Sequence, residues 1–557
     1  MNYLSLIINS YPNRVFFAVL SGAVSGLLFS LLIPSLLGAI SVSEYQNLET
    51  INKQVEYLGV EILKPGQALL FTILCSLILL LRCYSQISLA SVSLKVGKNT
   101  RLKFYNNISQ SSIFNLESVG LHRLYNAITV DITHVVTGAS AFPLFLVNLA
   151  TTVSLLGFLA FSNFDIFKII IILILSVLVL YQIPIYLASK NVQKARNLRD
   201  QLQHSVNGLI LGAKELKLNS DKREYFHRNH LQELEKSHLE ASKKSQEMLI
   251  SAQSFGDLTS FLIIGFICFV FVNYHAISSS QLVGVVLVLL YITSPISMIM
   301  NDISTFIQAN IAHKKIQSVL DELVIEAGTI GCETKIKLWS QMKLQGVVFS
   351  YGETDERHFS VGPIDLQLSR GKVTFITGGN GSGKSTLSKL LTLHYHPSRG
   401  SIIFDDVRIT DENINIYRQS ISAIYTDFYL FDELLIEDLS SKEQEINHYL
   451  KLLKIDDKVS IVNGRFSTIK LSDGQRKRLA LLVSFLEDRD VYLFDEWAAD
   501  QDPDFREFFY KELIFKLKSR NKLVLVVSHD NHYFDLADEI ITMDSGKVVE
   551  HKKLKGQ

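Results

Sequence analysis

A glycine-rich segment lies between an apolar run that is typical of a buried strand and a stretch with a helical pattern. The run Val373-Thr-Phe-Ile-Thr377 leads directly into Gly378-Gly-Asn-Gly-Ser-Gly-Lys-Ser-Thr386, and the helical stretch follows from Leu387. Glycines let backbone N–H groups wrap around phosphate oxygens, and the helix N-terminus favours negative charge. The pattern predicts a nucleotide phosphate site in which Lys384 reaches the β- and γ-phosphates and the Ser385 hydroxyl ligates Mg²⁺. The predicted nucleotide-binding residues of this loop are Gly378, Gly379, Asn380, Gly381, Ser382, Gly383, Lys384, Ser385 and Thr386.

Two further apolar runs end in residues that suit nucleotide hydrolysis. The first, Val491-Tyr-Leu-Phe-Asp-Glu496, predicts a buried strand that places Asp495 at its carboxyl end, near the magnesium. Glu496 then lies where it can polarise an attacking water. The second run, Leu523-Val-Leu-Val-Val-Ser528, delivers His529 to the edge of a parallel sheet where ligands bind, beside the γ-phosphate. We therefore predict Glu496 and His529 as catalytic residues and Asp495 as a metal ligand, although acids at a strand end can also be merely solvated.

The stretch Leu471-Ser-Asp-Gly-Gln475, followed by Arg476-Lys-Arg478, lies between these motifs. Together with them it resembles the nucleotide-binding domain of an ATP-binding-cassette (ABC) transporter, with Leu471–Gln475 as its signature motif. The resemblance implies ATP and Mg²⁺ as cofactors. It also implies that Ser472, Gly474 and Gln475 contact the ATP held by a second protomer. Since this chain has one such domain, the resemblance implies a homodimer with two equivalent sites.

Three other positions match the same family. Tyr351, in Phe349-Ser-Tyr-Gly352, matches the aromatic residue that stacks on adenine, with an ordinary edge-strand tyrosine as the alternative. Asp502 matches the acidic residue, shortly after the catalytic glutamate, that communicates across the dimer. His529 matches the switch histidine.

The stretch Ile424-Tyr-Thr-Asp-Phe-Tyr-Leu-Phe431 departs from the family pattern. The family usually has a glutamine here, which touches magnesium and senses the membrane domain. An ungapped alignment places Thr426 at that position, with Asp427 next to it. Either side chain can meet the magnesium, Asp427 with a full charge, and the sequence leaves the choice open.

The composition indicates what kind of protein carries these motifs. The chain has 557 residues, with 55 Lys plus Arg against 55 Asp plus Glu, and this zero net charge argues against a nucleic-acid partner. Only 20% of residues are charged and 48% are apolar, with a mean hydropathy of +0.21. Four cysteines exclude a disulfide-stapled secreted scaffold. The composition therefore predicts a membrane protein with a large soluble part.

Charge and hydropathy divide the chain in two. Residues 1–320 carry 24 Lys/Arg and 17 Asp/Glu, whereas residues 321–557 carry 31 and 38. Long uncharged runs in the first part predict six membrane-spanning helices, each needing about 20 residues. The predicted spans are about 15–40, 66–94, 136–162, 168–189, 255–274 and 281–301. We therefore predict a helical transmembrane domain over 1–320, a linker over 321–340, and an α/β P-loop ATPase domain over 341–557.

The loops predict the orientation of these spans. Residues 190–254 hold twelve Lys/Arg and residues 95–131 hold five, whereas the loop at 44–64 is acidic. Basic loops face the cytosol, so both termini and the ATPase domain are expected there. The two basic segments are predicted to be helices that continue from the membrane, with turns near Gly120 and Gly212.

The whole pattern resembles an ABC exporter half-transporter, and one stretch narrows the resemblance. Asp495-Glu-Trp-Ala-Ala-Asp-Gln-Asp-Pro503, with its unusual Trp497, is similar to the cyclic-peptide and siderophore-peptide exporters. That group includes exporters of pyoverdine precursors, syringomycin-type lipopeptides and lasso peptides. The resemblance implies a peptide-like cargo and a bacterial inner membrane with its lipid as surroundings. It leaves open whether a periplasmic or outer-membrane export partner is needed. The alternatives are a flippase for a lipid or lipid-linked glycan and a membrane-anchored regulatory ATPase.

Overall fold

A computed structural model describes most of the chain and separates it into two compact units. Unit 1 comprises residues 1–104 and 124–319, and unit 2 comprises residues 105–123 and 320–557. The predicted acidic loop at 44–64, apart from two short strands, lies outside the described residues, as do most of the predicted linker and Gly352. The described residues are 11–40, 55–57, 60–62, 65–273, 279–326, 339–351, 359–436 and 438–554.

The described residues of the first part of the chain are almost entirely helical. A small antiparallel hairpin, β1 (Val55–Tyr57) and β2 (Val60–Ile62), interrupts it. In chain order the helices are α1 Pro12–Ser30, α2 Leu32–Ile40, α3 Pro65–Gln110, α4 Ile113–Val119, α5 Leu121–Asn126, α6 Ile132–Ser162, α7 Phe164–Leu211, α8 Ala213–Leu218, α9 Ser220–Phe226, α10 Glu233–Phe269 and α11 Ser279–Glu322.

Among the described residues, four helical stretches are long and apolar enough to cross a membrane. They are Pro12–Leu37, Pro65–Gln110, Leu121–Ser162 and Gln281–Glu322. Four of the predicted spans, 15–40, 66–94, 136–162 and 281–301, fall largely within them. The predicted spans 168–189 and 255–274 fall on α7 and on the end of α10, where many side chains lie outside the described residues. These two therefore remain predictions.

Helices α3 and α7 are much longer than a membrane requires. They contain 46 and 48 residues, and at about 1.5 Å per residue each extends roughly 70 Å, against a hydrocarbon core of about 30 Å. The turns predicted near Gly120 and Gly212 are present. Gly120 ends α4 with φ of 82°, a positive value that glycine adopts without strain, and Gly212 separates α7 from α8.

Small residues allow close packing between α1 and α6 of unit 1. A Cβ atom on Gly26 would lie 2.9 Å from both the Thr151 nitrogen and the Val147 carbonyl oxygen, so only glycine allows this approach. Ser30 and Ser154 form a hydrogen bond between the same two helices. Larger apolar side chains of α6, α7, α10 and α11 build the core farther along, around Leu155, Ile170 and Ile292.

Unit 2 contains two sheets and the helices that cover them. The elements are β3 Gln341–Ser350, β4 Ser360–Ser369, β5 Val373–Gly378, α12 Lys384–Leu391, β6 Arg399–Phe404, β7 Val407–Arg408, α13 Ile414–Arg418, β8 Ile421–Ile424, α14 Glu443–Leu452, β9 Ile461–Val462, β10 Arg465–Phe466, α15 Asp473–Glu487, β11 Val491–Asp495, α16 Pro503–Phe508, α17 Ile514–Ser519, β12 Leu523–Val527, β13 Glu539–Asp544 and β14 Lys547–Lys553.

The strands of unit 2 form two larger sheets. A six-stranded sheet has the order β14-β13-β5-β12-β11-β8, in which only β14 runs antiparallel to its neighbour. A four-stranded antiparallel sheet has the order β4-β3-β6-β7.

The central strands explain where ligands can approach unit 2. Every residue of β11 and β12 is buried, because helices or the second sheet cover both faces of the parallel sheet. The parallel strands β5, β12, β11 and β8 are neighbours, so their carboxyl ends meet at one edge. The loops that follow these four strands therefore lie side by side, at the position where open α/β sheets bind ligands.

Residues 105–123 pack within unit 2, so unit 1 does not coincide with the predicted domain 1–320. The Phe114 ring contacts Phe349 and Tyr395, with ring centroids 5.6 and 5.7 Å apart. The Glu117 carboxylate accepts hydrogen bonds from the Tyr395 hydroxyl and, at 2.7 Å, from the Lys389 ammonium. These apolar and ionic contacts attach α4 to the ATPase sheets.

Candidate ATP-binding and hydrolysis site

The glycine-rich loop joins β5 to α12 as its sequence predicts. Gly378, Gly381 and Gly383 have φ of 145°, 76° and 100°, which side chains with a Cβ rarely adopt. A Cβ on Gly378 would lie 2.2 Å from the Met543 carbonyl oxygen. The Lys384 ammonium lies inside the loop and donates hydrogen bonds to the carbonyl oxygens of Gly378 and Gly379, at 2.9 and 3.0 Å. The loop thus surrounds a cation with backbone at the N-terminus of a helix, as a phosphate site requires.

The next strand end carries the two predicted carboxylates. Asp495 is the last residue of β11 and is 7% exposed. Glu496 follows it with φ of 50° and ψ of 32°, a left-handed conformation, and its backbone N–H donates to the Val527 carbonyl oxygen at 3.0 Å. The Glu496 carboxylate lies 3.4 Å from the His529 ring nitrogen Nε2. The structure therefore brings the two predicted catalytic residues together from the ends of adjacent strands.

Glu496 and His529 line a shallow pocket of about 390 Å³. Its far wall includes Tyr510, whose hydroxyl lies 2.9 Å from the Ser528 hydroxyl. Glu496 is 40% exposed and His529 is 47% exposed at the side chain. Water therefore reaches the carboxylate, as a residue that activates water requires.

The charges around Asp495 show that the predicted residues share one site. Burial raises the pKa of the Asp495 carboxyl, and the nearby Glu496 charge raises it further. The Lys384 charge and a hydrogen bond with the Thr426 side chain lower the pKa, and the Asp427 charge raises it. The glycine loop and the ends of β8 and β11 are thus close enough to influence one carboxylate.

The loop after β8 holds the two candidates for the position of the family's usual glutamine. The Thr426 hydroxyl donates to the Asp495 backbone carbonyl at 3.4 Å. Asp427 is exposed, and its charge acts on Asp495 through space. Both residues therefore lie beside the predicted metal ligand.

The donor set suits Mg²⁺. Ser385 is exposed at the first turn of α12, and Asp495 offers a buried carboxylate that a cation would stabilise. A hydroxyl and one or two carboxylates, with phosphate oxygens and waters, are the ligands that Mg²⁺ prefers. When bound, the ion would neutralise developing negative charge on the phosphates.

Tyr351 lies immediately after β3 in an aromatic cluster. Its ring contacts Phe349 and Phe114, with centroids 5.1 and 6.4 Å apart. Its hydroxyl lies 2.9 Å from the hydroxyl of Thr386, which is 5% exposed. Of the two consecutive hydroxyl residues, the buried Thr386 therefore contacts the predicted adenine-stacking residue, and Ser385 is the exposed one.

The signature motif begins α15. Ser472 is the N-cap residue, and its side chain and that of Gln475 form a reciprocal capping box. Gly474 approaches the loop after β11 so closely that a Cβ would lie 2.7 Å from the Asp500 carbonyl oxygen. Asp502 caps α16 by accepting a hydrogen bond from the Phe505 N–H at 2.9 Å. This bond, together with the Arg478 guanidinium, holds the pKa of the Asp502 carboxyl below its usual value.

Two residues that support this site lie outside the positions predicted from the sequence. The predicted site residues include neither Lys477 nor Gln501. Lys477 donates a hydrogen bond to the Glu496 carbonyl, and Gln501, in the loop between Glu496 and Asp502, bonds to Gly474 and Arg478. The sequence offered no local signal for Lys477, because a basic triplet on a helix normally indicates an exposed face.

Comparison with known proteins agrees with this architecture. The family model described as ABC transporter matches residues 361–499. The ATP-binding protein SyrD of Pseudomonas syringae pv. syringae is 30% identical over 562 residues, covering 99% of this chain and 96% of that protein. An ATP-dependent lipid A-core flippase of Wigglesworthia glossinidia brevipalpis is 22% identical over 490 residues, covering 83% and 81%. A solved bacterial Atm1-family ABC exporter with ATP bound covers 98% of this chain, with a TM-score of 0.71 at 17% identity, and shares its fold.

A helical membrane domain followed by a P-loop sheet and a signature helix defines a transport ATPase. The chain belongs to the ABC transporter family and has the form of an exporter half-transporter. The predicted fold class and the predicted ATPase coupled to transport are confirmed. A half-transporter works as a dimer, and its ABC domain binds ATP.

Proposed function

We propose that this half-transporter forms a homodimer in the bacterial inner membrane, with its ATPase domains in the cytosol, and exports a peptide or peptide-like metabolite. The observation that carries the proposal is the stretch Trp497-Ala-Ala-Asp-Gln-Asp502, the continuation that resembles the cyclic-peptide and siderophore-peptide exporters. The alignment with SyrD over nearly the full length of both proteins supports a relationship that includes the membrane domain.

The hydrolysis step is assigned to residues at the strand ends. Lys384 and the loop N–H groups bind the phosphates, while Ser385 and Asp495 would hold Mg²⁺, with Asp427 or Thr426 beside them. Glu496 polarises the attacking water, and His529, 3.4 Å from its carboxylate, orients that carboxylate and contacts the γ-phosphate. The positions of both side chains at one sheet edge support these roles.

Transport follows from differential ATP binding. Ser472 and Gly474 of one protomer contact ATP held by the other, so ATP binds better when the two ATPase domains are closed together. A ligand shifts a conformational equilibrium only by its difference in affinity between the two states. ATP binding therefore favours the closed dimer and turns the cargo cavity outward, and hydrolysis returns the dimer to the inward-open state.

A lipid flippase is the second candidate. It is favoured by the match with the lipid A-core flippase, which extends over 81% of that protein. Such a cargo would carry phosphate, so cationic side chains such as Arg82 within a predicted span would contact it. The two candidates share their ATPase chemistry and differ in the cargo that stimulates it.

The deciding experiment measures ATPase activity of the purified dimer in lipid nanodiscs while cargo classes are titrated. Cyclic peptides, lasso peptides and acylated siderophore precursors form one arm, and lipid-linked sugars form the other. Saturable stimulation by the peptide arm alone supports the proposal, and stimulation by lipids alone supports the flippase. Basal activity that neither arm changes contradicts both and favours a regulatory ATPase.

Two variants calibrate this assay. Glu496→Gln removes the carboxylate charge and keeps the shape, so turnover should be lost while ATP binding remains. Lys384→Ala removes the phosphate-binding cation, so ATP binding itself should weaken. Normal turnover in Glu496→Gln would remove Glu496 from its assigned role.

A further inference from the structure

Lys477 is a buried charge that the predicted site does not use. It lies in the first turns of α15, is 4% exposed, and its ammonium lies 2.7 Å from the Asp500 carboxylate. The same ammonium donates a hydrogen bond to the Glu496 backbone carbonyl at 2.9 Å. Burying an ammonium is costly unless good partners compensate it. These two contacts are therefore strong constraints on the loop that follows β11.

Glu496 needs such a constraint because of its backbone. Its φ of 50° lies in the left-handed region, which non-glycine residues adopt at some cost and keep only when their surroundings hold them. The Glu496 N–H donates a hydrogen bond to the Val527 carbonyl, and the Glu496 carbonyl accepts one from the Lys477 ammonium. The direction of the Glu496 carboxylate depends on both of these hydrogen bonds.

Trp497 adds a further contact between this turn and α15. Its indole N–H donates to the Lys477 backbone carbonyl at 3.0 Å, and its ring is 1% exposed and stacks on Phe509 with centroids 4.3 Å apart. Lys477, Glu496, Trp497 and Asp500 thus form a closed set of contacts, which we call the clasp. The clasp connects α15 with the residue immediately after β11.

The first turns of α15 are also hydrogen-bonded to the loop that follows β11. The Gln501 side chain donates to the Gly474 carbonyl at 3.0 Å and accepts from the Arg478 guanidinium at 2.9 Å. The signature motif and the loop that carries Glu496 are therefore held together within one protomer. In the proposed dimer the signature motif contacts ATP on the second protomer, so the clasp would connect two different ATP sites.

We propose that Lys477 is a positioning residue that holds Glu496 in its hydrolytic orientation and couples it to the signature motif of the same protomer. This inference rests on the proposed role of Glu496. ATP bound by the second protomer then sets the position of Glu496 at the first site, and the two sites hydrolyse ATP cooperatively. Lys477 is buried and its ammonium contacts Asp500 and the Glu496 carbonyl, so its loss should affect turnover and leave ATP binding intact.

The test replaces Lys477 in the full-length dimer in nanodiscs. Lys477→Met keeps the length and apolar stem and removes the ammonium. We expect kcat for ATP to fall about tenfold or more, which corresponds to about 1.4 kcal/mol or more in the barrier. The KM for ATP and the binding of a fluorescent ATP analogue should change by less than about twofold, and the Hill coefficient for ATP should fall toward one.

Lys477→Gln separates positioning from packing. Its amide can still donate to the Glu496 carbonyl but carries no charge for Asp500. We expect Lys477→Gln to recover most of the kcat. If the ammonium served only to pair with Asp500, Lys477→Met combined with Asp500→Asn would recover kcat instead, and that result would overturn the proposal.

Lys522 is the matched control. It is also a buried lysine, 7% exposed, and it bridges the carboxylate of Asp488 at 3.1 Å and the backbone carbonyl of the same residue at 3.4 Å, at the opposite edge of the sheet. Lys522→Met should lower the thermal midpoint and leave kcat per folded dimer, and the Hill coefficient, unchanged. An equal loss of kcat in Lys522→Met, or a normal kcat in Lys477→Met, contradicts the proposal. Glu496→Gln in parallel shows whether the assignment of Glu496 itself has failed.

Discussion

The hydroxyl of Tyr351 lies 2.9 Å from the hydroxyl of Thr386, the last residue of the glycine-rich motif. Thr386 is on α12, whose first residue is Lys384, so this contact ties the aromatic residue after β3 to the helix that binds phosphate. The Tyr351 ring also packs beside Phe349 and Tyr395. The candidate adenine position and the phosphate position are thus fixed relative to each other.

Tyr351→Ala should raise the KM for ATP about tenfold, because base–aromatic stacking contributes about 1–3 kcal/mol. Tyr351→Phe keeps the ring and loses only the hydroxyl contact with Thr386, so its KM should stay within about threefold of wild type. Steady-state ATPase measurements on both variants test this. A normal KM in Tyr351→Ala, with a lower thermal midpoint, would show an edge-strand tyrosine with a packing role only.

Asp427 should contribute to the magnesium requirement. Its carboxylate acts on Asp495, and an anionic oxygen is a stronger Mg²⁺ ligand than a hydroxyl. Asp427→Asn should raise the half-saturating Mg²⁺ concentration for ATPase activity several-fold, whereas Thr426→Val should leave it nearly unchanged. Mg²⁺ titrations at saturating ATP measure this. A shift in Thr426→Val alone would assign the position to Thr426.

Gly474 should be intolerant of any side chain. A Cβ there would lie 2.7 Å from the Asp500 carbonyl oxygen, so Gly474→Ala must displace the loop that carries Asp502. We expect kcat to fall by about tenfold or more. Asp473→Gly is the matched control, because the Asp473 side chain is 84% exposed, and it should stay near wild type. Normal kcat in Gly474→Ala would show that the loop adjusts without affecting hydrolysis.

Most of the candidate ATP site could be predicted from short stretches of the sequence. The glycine loop, the strand before it and the carboxylates of Asp495 and Glu496 are set by short stretches, since buried parallel strands read as continuous apolar runs. Family resemblance supplied Ser472 and Asp502, and the structure places each as a helix N-cap. The order of these elements was enough to predict that their loops share one sheet edge.

Contacts between distant stretches could not be predicted from the sequence. Glu117 lies 272 residues before Lys389, so nothing local indicates that α4 packs against the ATPase sheets. Trp497 is unusual in the sequence, but its N–H partner on α15 depends on how the helix and the loop cross. Lys477 lies in a basic triplet that normally indicates an exposed surface, and only the packing shows that its ammonium is buried.

His394 should make the stability of unit 2 depend on pH. Burial lowers the pKa of its imidazole from 6.5 to about 4, and the charges of Arg418 and Lys389 add to this effect. Its Nδ1 lies 2.7 Å from the Thr392 hydroxyl and 3.1 Å from that of Tyr425. The neutral ring is therefore the form that suits the folded state.

The pKa of His394 is lower in the folded protein than in the unfolded chain. Unfolding therefore takes up a proton at pH values between these two pKa values. The stabilisation is complete above about pH 6.5 and decreases as the pH falls toward 4, by about 2 kcal/mol between pH 7.5 and pH 5. His394→Asn cannot titrate, so its thermal midpoint should fall less than that of wild type over this interval. His448→Asn, at an exposed position of α14, should behave as wild type. Parallel pH dependence of wild type and His394→Asn would show that His394 does not titrate between the two states.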